Sequence, residues 1–374
     1  LGDLQAELAT KVPTVPLLQG QQVAVTRTDV TGVDTTLDAS FQFRFSTLQK
    51  GGDPTATVAV GTTDKVTSLD PAGSYDNASY LVQLNVFPMV LGFPQGNPVP
   101  TPEIAESCEY SADGVTYACK IKEGLKWANG NTLDANDVKF SFDRQLKIAD
   151  PEGPSSLLAN LASVEVPDPL SVNFTLKSPN DVTFAQILAS PVGPIVDDEV
   201  FSADALTPDA DIVAANSFAG AYTIKSFKIN ELVEFAPNPD YNRVQGAPVN
   251  GGVTMKYYAE SSNMKLDIEN GTIDVVWRQL TPTDIESLNA NADTSVIYGP
   301  GGEIRYIVFN LAIQPGDTPA QQTAIRQAVA ASVDREALSE EVYKGTYTPL
   351  YSFVPDGLPG ATQALSDAYP PPAT

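Results

Sequence analysis

Apolar residues recur along this chain at two different spacings, which predict a mixture of helices and strands. The spacing of Leu1, Leu4 and Leu8 is that of one face of a helix. Residues 172–176 instead alternate between apolar and polar, as in a half-buried strand. Because segments of both kinds follow one another along the chain, we expect an α/β protein with a mixed sheet and flanking helices.

Capping residues indicate where several helices begin. Asp134 stands just before an apolar stripe, and Asp137 falls in the first turn, where both carboxylates favour the helix dipole. Asn77 is placed to cap a short helix that Pro88 would end. Thr318, followed by a proline, opens another helix.

The first part of the chain looks like two pieces joined by a turn. Phe41, Phe43 and Phe45 alternate with polar residues and predict a strand. Residues 50–54, with the sequence KGGDP, form a flexible joint. A short apolar strand at residues 58–60 then begins a new pattern.

Composition and charge narrow the class of protein. The chain has 374 residues, of which 42% are hydrophobic and 18% are charged, as in an ordinary soluble globular protein. It has no run of about 18 apolar residues, and we expect no signal peptide in this chain because its beginning lacks a basic region and a cleavage site. The formal net charge of −24 argues against a nucleic-acid partner, because phosphate binding depends on clusters of Lys and Arg.

The chain contains no histidine. This removes the commonest general base and metal ligand, and with them a Ser-His-Asp triad, a Cys-His pair or an ordinary zinc enzyme site. Paired carboxylates could still act as acid and base, but no local constellation of them stands out. We therefore expect a protein that is not an enzyme, with no catalytic residue, no metal ligand and no cofactor.

The two cysteines are placed to face each other across a hairpin. Cys108 and Cys119 flank Asp113 and Gly114, a pair typical of a two-residue type I′ turn, and both pairs share one antiparallel register. The register predicts a disulfide; two free buried thiols or a metal-binding pair are the alternatives. A disulfide favours an oxidising, extracytoplasmic compartment.

One stretch carries a family resemblance. Residues 123–142 read EGLKWANGNTLDANDVKFSF, similar to the stretch EGxxFxxGxxLxAxDVxFSF of the peptide-, dipeptide- and nickel-binding receptors of ABC importers, solute-binding family 5. Trp127 stands where that family often has phenylalanine, an aromatic exchange that changes little. Other segments fit the same template, among them residues 69–71, 238–241, 270–275, 309–310 and 325–329.

The resemblance implies a periplasmic-binding-protein-like fold of the class II type, permuted and truncated. Residues 1–50 resemble the family's C-terminal tail, which here comes first, so that a circular permutation is expected. We expect the permutation and the loss of most of the second lobe to be engineered; the alternatives are that a companion chain supplies the missing part or that proteolysis removed it. The expected segments are a tail completing lobe I (1–50), a linker (51–56), the lobe I core (57–90 and 191–300), an inserted subdomain (91–190) and the start of lobe II (301–374).

The function implied is that of a substrate-binding receptor that delivers an oligopeptide or a similar small solute to an ABC permease. Such a receptor holds its ligand in an interlobe cleft by hinge closure. In the family, the charged anchors for the ligand lie largely in the second lobe. The alternative is an engineered or trimmed structural or interaction module with little ligand binding.

Six residues of the first lobe are the candidate ligand contacts. They lie on the loop after the first strand and at the end of a later strand: Ser74, Tyr75, Asp76, Asn77, Trp277 and Arg278. Trp277 could stack on a ligand and Arg278 could pair with a carboxylate, while a core tryptophan beside a surface arginine is the alternative. Asp76 and Asn77 equally suit helix capping.

Overall fold

The computed structural model describes residues 2–38, 42–358 and 360–370. The strands are β1 (Thr14–Gly20), β2 (Gln22–Arg27), β3 (Val30–Thr31), β4 (Gln49–Lys50), β5 (Thr57–Thr62), β6 (Leu91–Gly92), β7 (Thr101–Pro102), β8 (Ala105–Tyr110), β9 (Thr116–Ile121), β10 (Leu161–Asp168), β11 (Ser171–Leu176), β12 (Tyr222–Lys228), β13 (Leu232–Pro237), β14 (Gly252–Tyr257), β15 (Val275–Trp277), β16 (Thr294–Gly299), β17 (Ile304–Val308) and β18 (Tyr347–Pro349). The α-helices are α1 (Gly2–Lys11), α2 (Asn77–Val86), α3 (Ala135–Ile148), α4 (Phe184–Leu188), α5 (Asp209–Ala215), α6 (Ser261–Glu269), α7 (Pro282–Asn289), α8 (Pro319–Ser332), α9 (Arg335–Ala337) and α10 (Ala364–Ala368). None of these helices has the length and apolarity needed to cross a lipid bilayer.

The described residues form two compact units. The first contains those within 1–25, 37–41 and 280–374, and the second contains those within 26–36 and 42–279. Strand β2 begins in the first unit and ends in the second.

The division into units cuts through the segment that resembles the family's tail. The described residues from 2 to 25 group with the last part of the chain, and those from 42 to 50 group with the segments that follow them. The expected assignment of segments to lobe I and lobe II stays a prediction.

A mixed sheet lies at the centre of the second unit, as the α/β pattern predicts. Strands β12, β13, β14, β5 and β15 lie in that order, antiparallel from β12 to β14 and parallel from β14 to β15. The buried side chains of Val58 and Val60 in β5 place this strand in the core. Helix α6 contacts β5 and β15, while α2 and α5 contact β12.

A second, four-stranded antiparallel sheet in this unit has the order β10-β11-β9-β8 and is covered by α3. Phe142 of α3 packs edge-to-face on Phe174 of β11, with both rings fully buried and their centroids 5.2 Å apart. Asp134 caps α3, and Asp137 completes a capping box by accepting from the Asp134 N–H, as the sequence pattern predicts.

The hairpin of β8 and β9 contains the predicted disulfide. Cys108 lies directly opposite Cys119, with their Cα atoms 4.1 Å apart, and the two are bonded. The predicted turn type was wrong, because Asp113 keeps a negative φ and only Gly114 is left-handed, with φ 68°. The Asp113 carboxylate accepts from the Val115 N–H, which helps to hold a longer loop of the same register.

A buried ion pair ties α3 to the loop that follows β5. Arg144 donates from both terminal nitrogens to the two oxygens of Asp70, at 2.7 and 2.5 Å. Asp70 also accepts from the backbone N–H groups of Ala72 and Thr207, while Arg144 donates to the Ser202 carbonyl. Both charged groups are therefore paired and hydrogen-bonded, which is the condition under which a buried ion pair is tolerated.

The first unit contains a three-stranded antiparallel sheet with β1 in the centre, between β17 and β18. Arg326 of α8 donates to the Val12 carbonyl at 2.9 Å and so fixes α8 to the end of α1. A cluster of three buried residues lies here, with four partly buried residues packed against it: Val12, Val15 and Ala330, with Leu17, Ile307, Phe309 and Tyr369.

Two local predictions were wrong. Asn77 is the first residue of α2, and the cap is Asp76, whose carboxylate accepts from the Ser79 N–H. The segment around Phe43 and Phe45 is not a strand, because Phe45 begins a 3-10 turn that buries both rings; Phe41 lies outside the described residues. Alternating apolar residues had indicated burial correctly, but not the backbone conformation.

We expect loss of the disulfide to destabilise the protein. Replacing Cys108 and Cys119 by serine should lower the free energy of unfolding by roughly 2–3 kcal/mol, because the bond closes a short loop in the unfolded chain. Denaturant titration measures this, with Ala118→Ser on the same strand as the control for introducing serine. Two reactive thiols in the denatured wild-type protein, without reductant, would contradict the pairing.

Candidate functional site

The amino-terminal end of α2 holds the first group of candidate residues. The Asp76 carboxylate accepts from the Ser79 N–H at 2.8 Å, from the Ser79 hydroxyl at 2.7 Å and from the Thr67 hydroxyl at 2.6 Å. These bonds cap the helix and attach it to the loop that follows β5. Asp76 therefore has a clear structural role.

The neighbours of Asp76 differ in exposure. Ser74 is buried and accepts from the side-chain amide of Gln83 at 2.7 Å, which makes it part of the loop's internal hydrogen bonding. Tyr75 is exposed over 53% of its surface, and Asn77 is also exposed. Of these three residues, Tyr75 offers the largest surface to a ligand.

Trp277 ends β15 with its ring buried. The ring stacks on Phe43, with centroids 5.2 Å apart and planes 29° apart, and only 2% of the residue is exposed. Its indole N–H has no hydrogen-bond partner among the described residues. A buried donor without a partner is costly, and the burial of this tryptophan fits the alternative of a core residue better than that of a ring stacked on a ligand.

The two residues after Trp277 have an unusual backbone. Arg278 and Gln279 are both left-handed, with φ 67° and 64°, a conformation that L-residues other than Asn and Asp rarely adopt. Strained backbone of this kind is concentrated at ligand-binding and catalytic sites. It lets the Arg278 guanidinium lie over the Trp277 ring, 5.2 Å from its centroid.

Asp64, which the sequence analysis did not identify, lies beside the side chains of Gln279 and Arg278. The amide of Gln279 donates to Asp64 Oδ1 at 2.9 Å. Arg278 Nε is 3.8 Å from Asp64 Oδ2, too far for a hydrogen bond, and this oxygen has no donor among the described residues. Asp64 lies two residues after the end of β5, so its position close to the end of a buried strand was the signal that could have identified it.

Tyr257, at the end of β14, connects the two groups of candidate residues. Burial raises the pKa of its phenol above the ordinary value, and the negative charges of Asp76 and Asp64 raise it further. The phenol therefore stays protonated and able to donate a hydrogen bond. The structure thus brings Asp76, Asp64 and the Arg278 side chain to one region of the second unit, at the ends of β5, β14 and β15.

Residues 99–373 match the family described as bacterial extracellular solute-binding proteins, family 5 Middle. The chain belongs to this family. The match includes the 123–142 stretch, whose turn and capping box are seen in the structure.

Curated relatives of this family-5 chain are similar over most of its length. It is 25% identical over 313 residues to the probable D,D-dipeptide-binding periplasmic protein DdpA of Escherichia coli, and 26% identical over 315 residues to the glutathione-binding protein GsiB of Salmonella paratyphi A. These alignments cover 82% and 84% of this chain but 58% of each relative. The chain therefore spans little more than half the length of the relatives it matches.

Solved structures confirm the fold of the family. The substrate-binding protein CtaP of Listeria monocytogenes superposes with a TM-score of 0.63 at 22% identity, covering 82% of this chain and 61% of that one. HbpA2 of Haemophilus parasuis gives 0.65 at 20% identity, covering 83% and 65%. The predicted periplasmic-binding-protein-like α/β fold is therefore confirmed.

A group of acidic residues lies apart from these candidates, beside helix α3. Asp137, Asp197 and Asp198 each bring one carboxylate oxygen within 4.8 Å of the others. Asp197 accepts from the side chains of Asn129, Asn131 and Ser217, and Asp137 accepts from the Asp134 and Asp198 N–H groups. Because N–H and O–H donors already bind the carboxylates of Asp137 and Asp197, these two residues hold the loops around α3.

Asp137 should make the stability of this protein depend on pH. Burial raises the pKa of its carboxyl to about 7, while two backbone hydrogen bonds act in the opposite direction. Between about pH 4 and 7 the folded state holds a proton that the unfolded state has released. The free energy of unfolding therefore falls as the pH rises through this range, by up to about 4 kcal/mol from this group.

Denaturant titrations at several pH values check this prediction with Asp137→Asn, which keeps an oxygen acceptor at the cap. The variant should lose part of the wild-type decline between pH 4 and 7. Asp143→Asn, which alters a half-exposed carboxylate on the same helix, is the control and should leave the decline in place. An unchanged profile in Asp137→Asn would show that this carboxyl titrates normally.

Proposed function

We propose that this chain is the ligand-binding part of an ABC-importer receptor that takes up an oligopeptide or a similar small solute. Its membership of solute-binding family 5 supports this, and two relatives are named for binding dipeptides and glutathione, which are small peptide-like solutes. A receptor releases its ligand unchanged to a permease, so the proposed activity is binding, not catalysis. The alternative of a structural module has no observation in its favour.

The Arg278 guanidinium is the observation that carries this proposal. It donates no hydrogen bond to any described residue, its only ion pair is the long one to Asp64, and 23% of the side chain is exposed. A positioned guanidinium with unused donors suits a carboxylate, which it can bind through two parallel bonds. We assign it to the terminal carboxylate of the ligand, with the exposed Tyr75 as a neighbouring contact.

The compartment and the order of segments complete the proposal. The disulfide fits the extracytoplasmic location in the family's description, since such bonds persist in oxidising compartments. We also propose that residues 1–50 are the family's tail in a permuted position, and that residues 57–90 and 191–300 form the core of its first lobe. Residues 91–190 would be the inserted subdomain, and residues 301–374 the start of the second lobe.

We expect the chain by itself to bind peptides more weakly than micromolar. A ligand that lacks the charged anchors expected in the second lobe keeps its ends partly solvated, and each lost charge-assisted hydrogen bond forgoes roughly 1.5–3 kcal/mol. Two such losses weaken binding by about two to four powers of ten. Calorimetric titration with a pool of di- to pentapeptides measures the affinity, and micromolar or tighter binding would overturn this expectation.

The carboxylate assignment has a sharper test. Binding of one tripeptide with a free or an amidated C-terminus can be followed by NMR titration at millimolar concentration. Amidation should weaken binding to the wild type by roughly tenfold or more, because it removes the charge that Arg278 recognises. Arg278→Ala should bind both forms equally weakly.

The control for the assignment is Arg305→Ala, which removes a more exposed, ion-paired arginine from the first unit and should leave the preference for the free C-terminus intact. An Arg278→Ala protein that still distinguishes the two peptides would refute the assignment.

A further inference from the structure

The segment between β5 and α2 connects the two groups of candidate residues. It contains Asp64, which lies beside Arg278, and Thr67, whose hydroxyl donates to Asp76. Residues 63–68 of this segment belong to no helix or strand. Its path therefore has to be fixed by contacts other than the hydrogen bonds of a sheet or a helix.

Side chains from distant parts of the second unit bind the backbone of this segment. The Leu69 N–H donates to the Asp209 carboxylate at 2.9 Å. The Val66 N–H donates to Asn230, which lies 164 residues further along the chain. A segment held in this way keeps its position only as long as those side chains are present.

Asn230 binds both backbone groups of Val66. Its Oδ1 accepts from the Val66 N–H at 2.8 Å, and its Nδ2 donates to the Val66 carbonyl at 3.1 Å. An asparagine side chain can do this because it carries a carbonyl oxygen and an NH₂ group, the same acceptor and donor as a peptide group. The amide thus takes the place of a neighbouring strand at a point where β5 has ended.

The backbone around Asn230 suits this contact. The residue lies in the turn between β12 and β13 and is left-handed, with φ 55°, a conformation in which asparagine is enriched. The carbonyl of the next residue, Glu231, accepts from the Tyr257 N–H at the end of β14. The turn is therefore fixed to the sheet and can hold Val66 in a defined place.

The distance between Asp64 and Arg278 makes the position of the segment important. Asp64 Oδ2 and Arg278 Nε are 3.8 Å apart, and this oxygen has no donor among the described residues. A shift of about 1 Å would bring the two atoms into a charge-assisted hydrogen bond. The guanidinium would then bind a carboxylate of the protein in place of one from the ligand.

We propose that Asn230 is a positioning residue of the ligand site, which acts through Val66 to keep Asp64 apart from Arg278. With Asp64 held in this position, the guanidinium keeps its donors for a carboxylate of the ligand, which it recognises through two parallel bonds. The inference rests on the proposed function, because it takes the Arg278 side chain as the contact for that carboxylate.

The tripeptide with a free or an amidated C-terminus provides the first readout. Asn230→Gly removes the side-chain amide and keeps a residue that suits the left-handed backbone, so the fold is retained. The variant should lower the preference for the free C-terminus by roughly threefold or more, because Asp64 then competes for the guanidinium. A general loss of stability would weaken the binding of both peptides and leave their ratio unchanged.

Residue-resolved amide exchange on the same proteins provides the second readout. The Val66 N–H should exchange roughly tenfold faster or more in Asn230→Gly, because it loses its acceptor. The N–H groups of Leu69, bonded to Asp209, and of Val60, in the paired part of β5, are internal controls and should change little.

The matched control is Asn216→Gly. Asn216 is an exposed asparagine of the second unit that ends α5 in the same left-handed conformation, with φ 49°. The substitution therefore makes the same chemical change at a site remote in sequence from the segment, and it should alter neither the peptide preference nor the exchange of Val66.

Two results would overturn the role of Asn230 alone: a wild-type preference that Asn230→Gly keeps in full, or unchanged exchange at Val66. In both cases a preference that disappears in Arg278→Ala leaves the carboxylate assignment standing. A wild type without any preference would instead refute the assignment itself, and the positioning role with it.

Discussion

The buried ion pair between Asp70 and Arg144 is the interaction on which the arrangement of the second unit depends. It joins the loop after β5, the helix α3 and the segment of Ser202 to Thr207, three parts of the chain that no sheet connects to one another. Removal of one partner would leave a charge buried without compensation, a cost of about 3–5 kcal/mol. Every other hydrogen bond of the pair is made to backbone, so its geometry fixes the path of the chain and not merely two side chains.

Part of the candidate ligand site depends on this ion pair. The loop fixed at Asp70 leads directly into a 3-10 turn at Pro71–Gly73 and then into Asp76, which caps α2 and accepts from the Thr67 hydroxyl. Near the end of β5, the Asp64 carboxylate accepts a hydrogen bond from Gln279 and lies beside Arg278. The position of Asp76 is therefore tied to a charge pair that lies outside the candidate residues, in the way that a rigid scaffold positions binding loops.

Local signals allowed the sequence to predict the parts that depend on neighbouring residues. The capping box of Asp134 and Asp137 and the register of Cys108 with Cys119 each follow from residues within a dozen positions of one another. The site depends on distant contacts and was only partly predictable. Trp277 was recognised, but not that Phe43 covers its ring, and Asp64 escaped notice because its partners come from the far end of the unit. Asp76 and Asn77 both suit a cap, and only the backbone decides between them.

Arg278 and Gln279 are consecutive left-handed residues. Their backbone conformation lowers the stability of the fold but places the Arg278 side chain for ligand recognition. Holding two side-chain-bearing residues in this conformation costs of order 1–3 kcal/mol each, a strain that glycine would relieve. Glycine at position 278 would, however, remove the guanidinium, whereas glycine at position 279 would remove only the amide that orients Asp64. Selection for a more thermostable variant would therefore act first on position 279, and the strain retained at position 278 measures how much stability the protein gives up to keep a charge in this place.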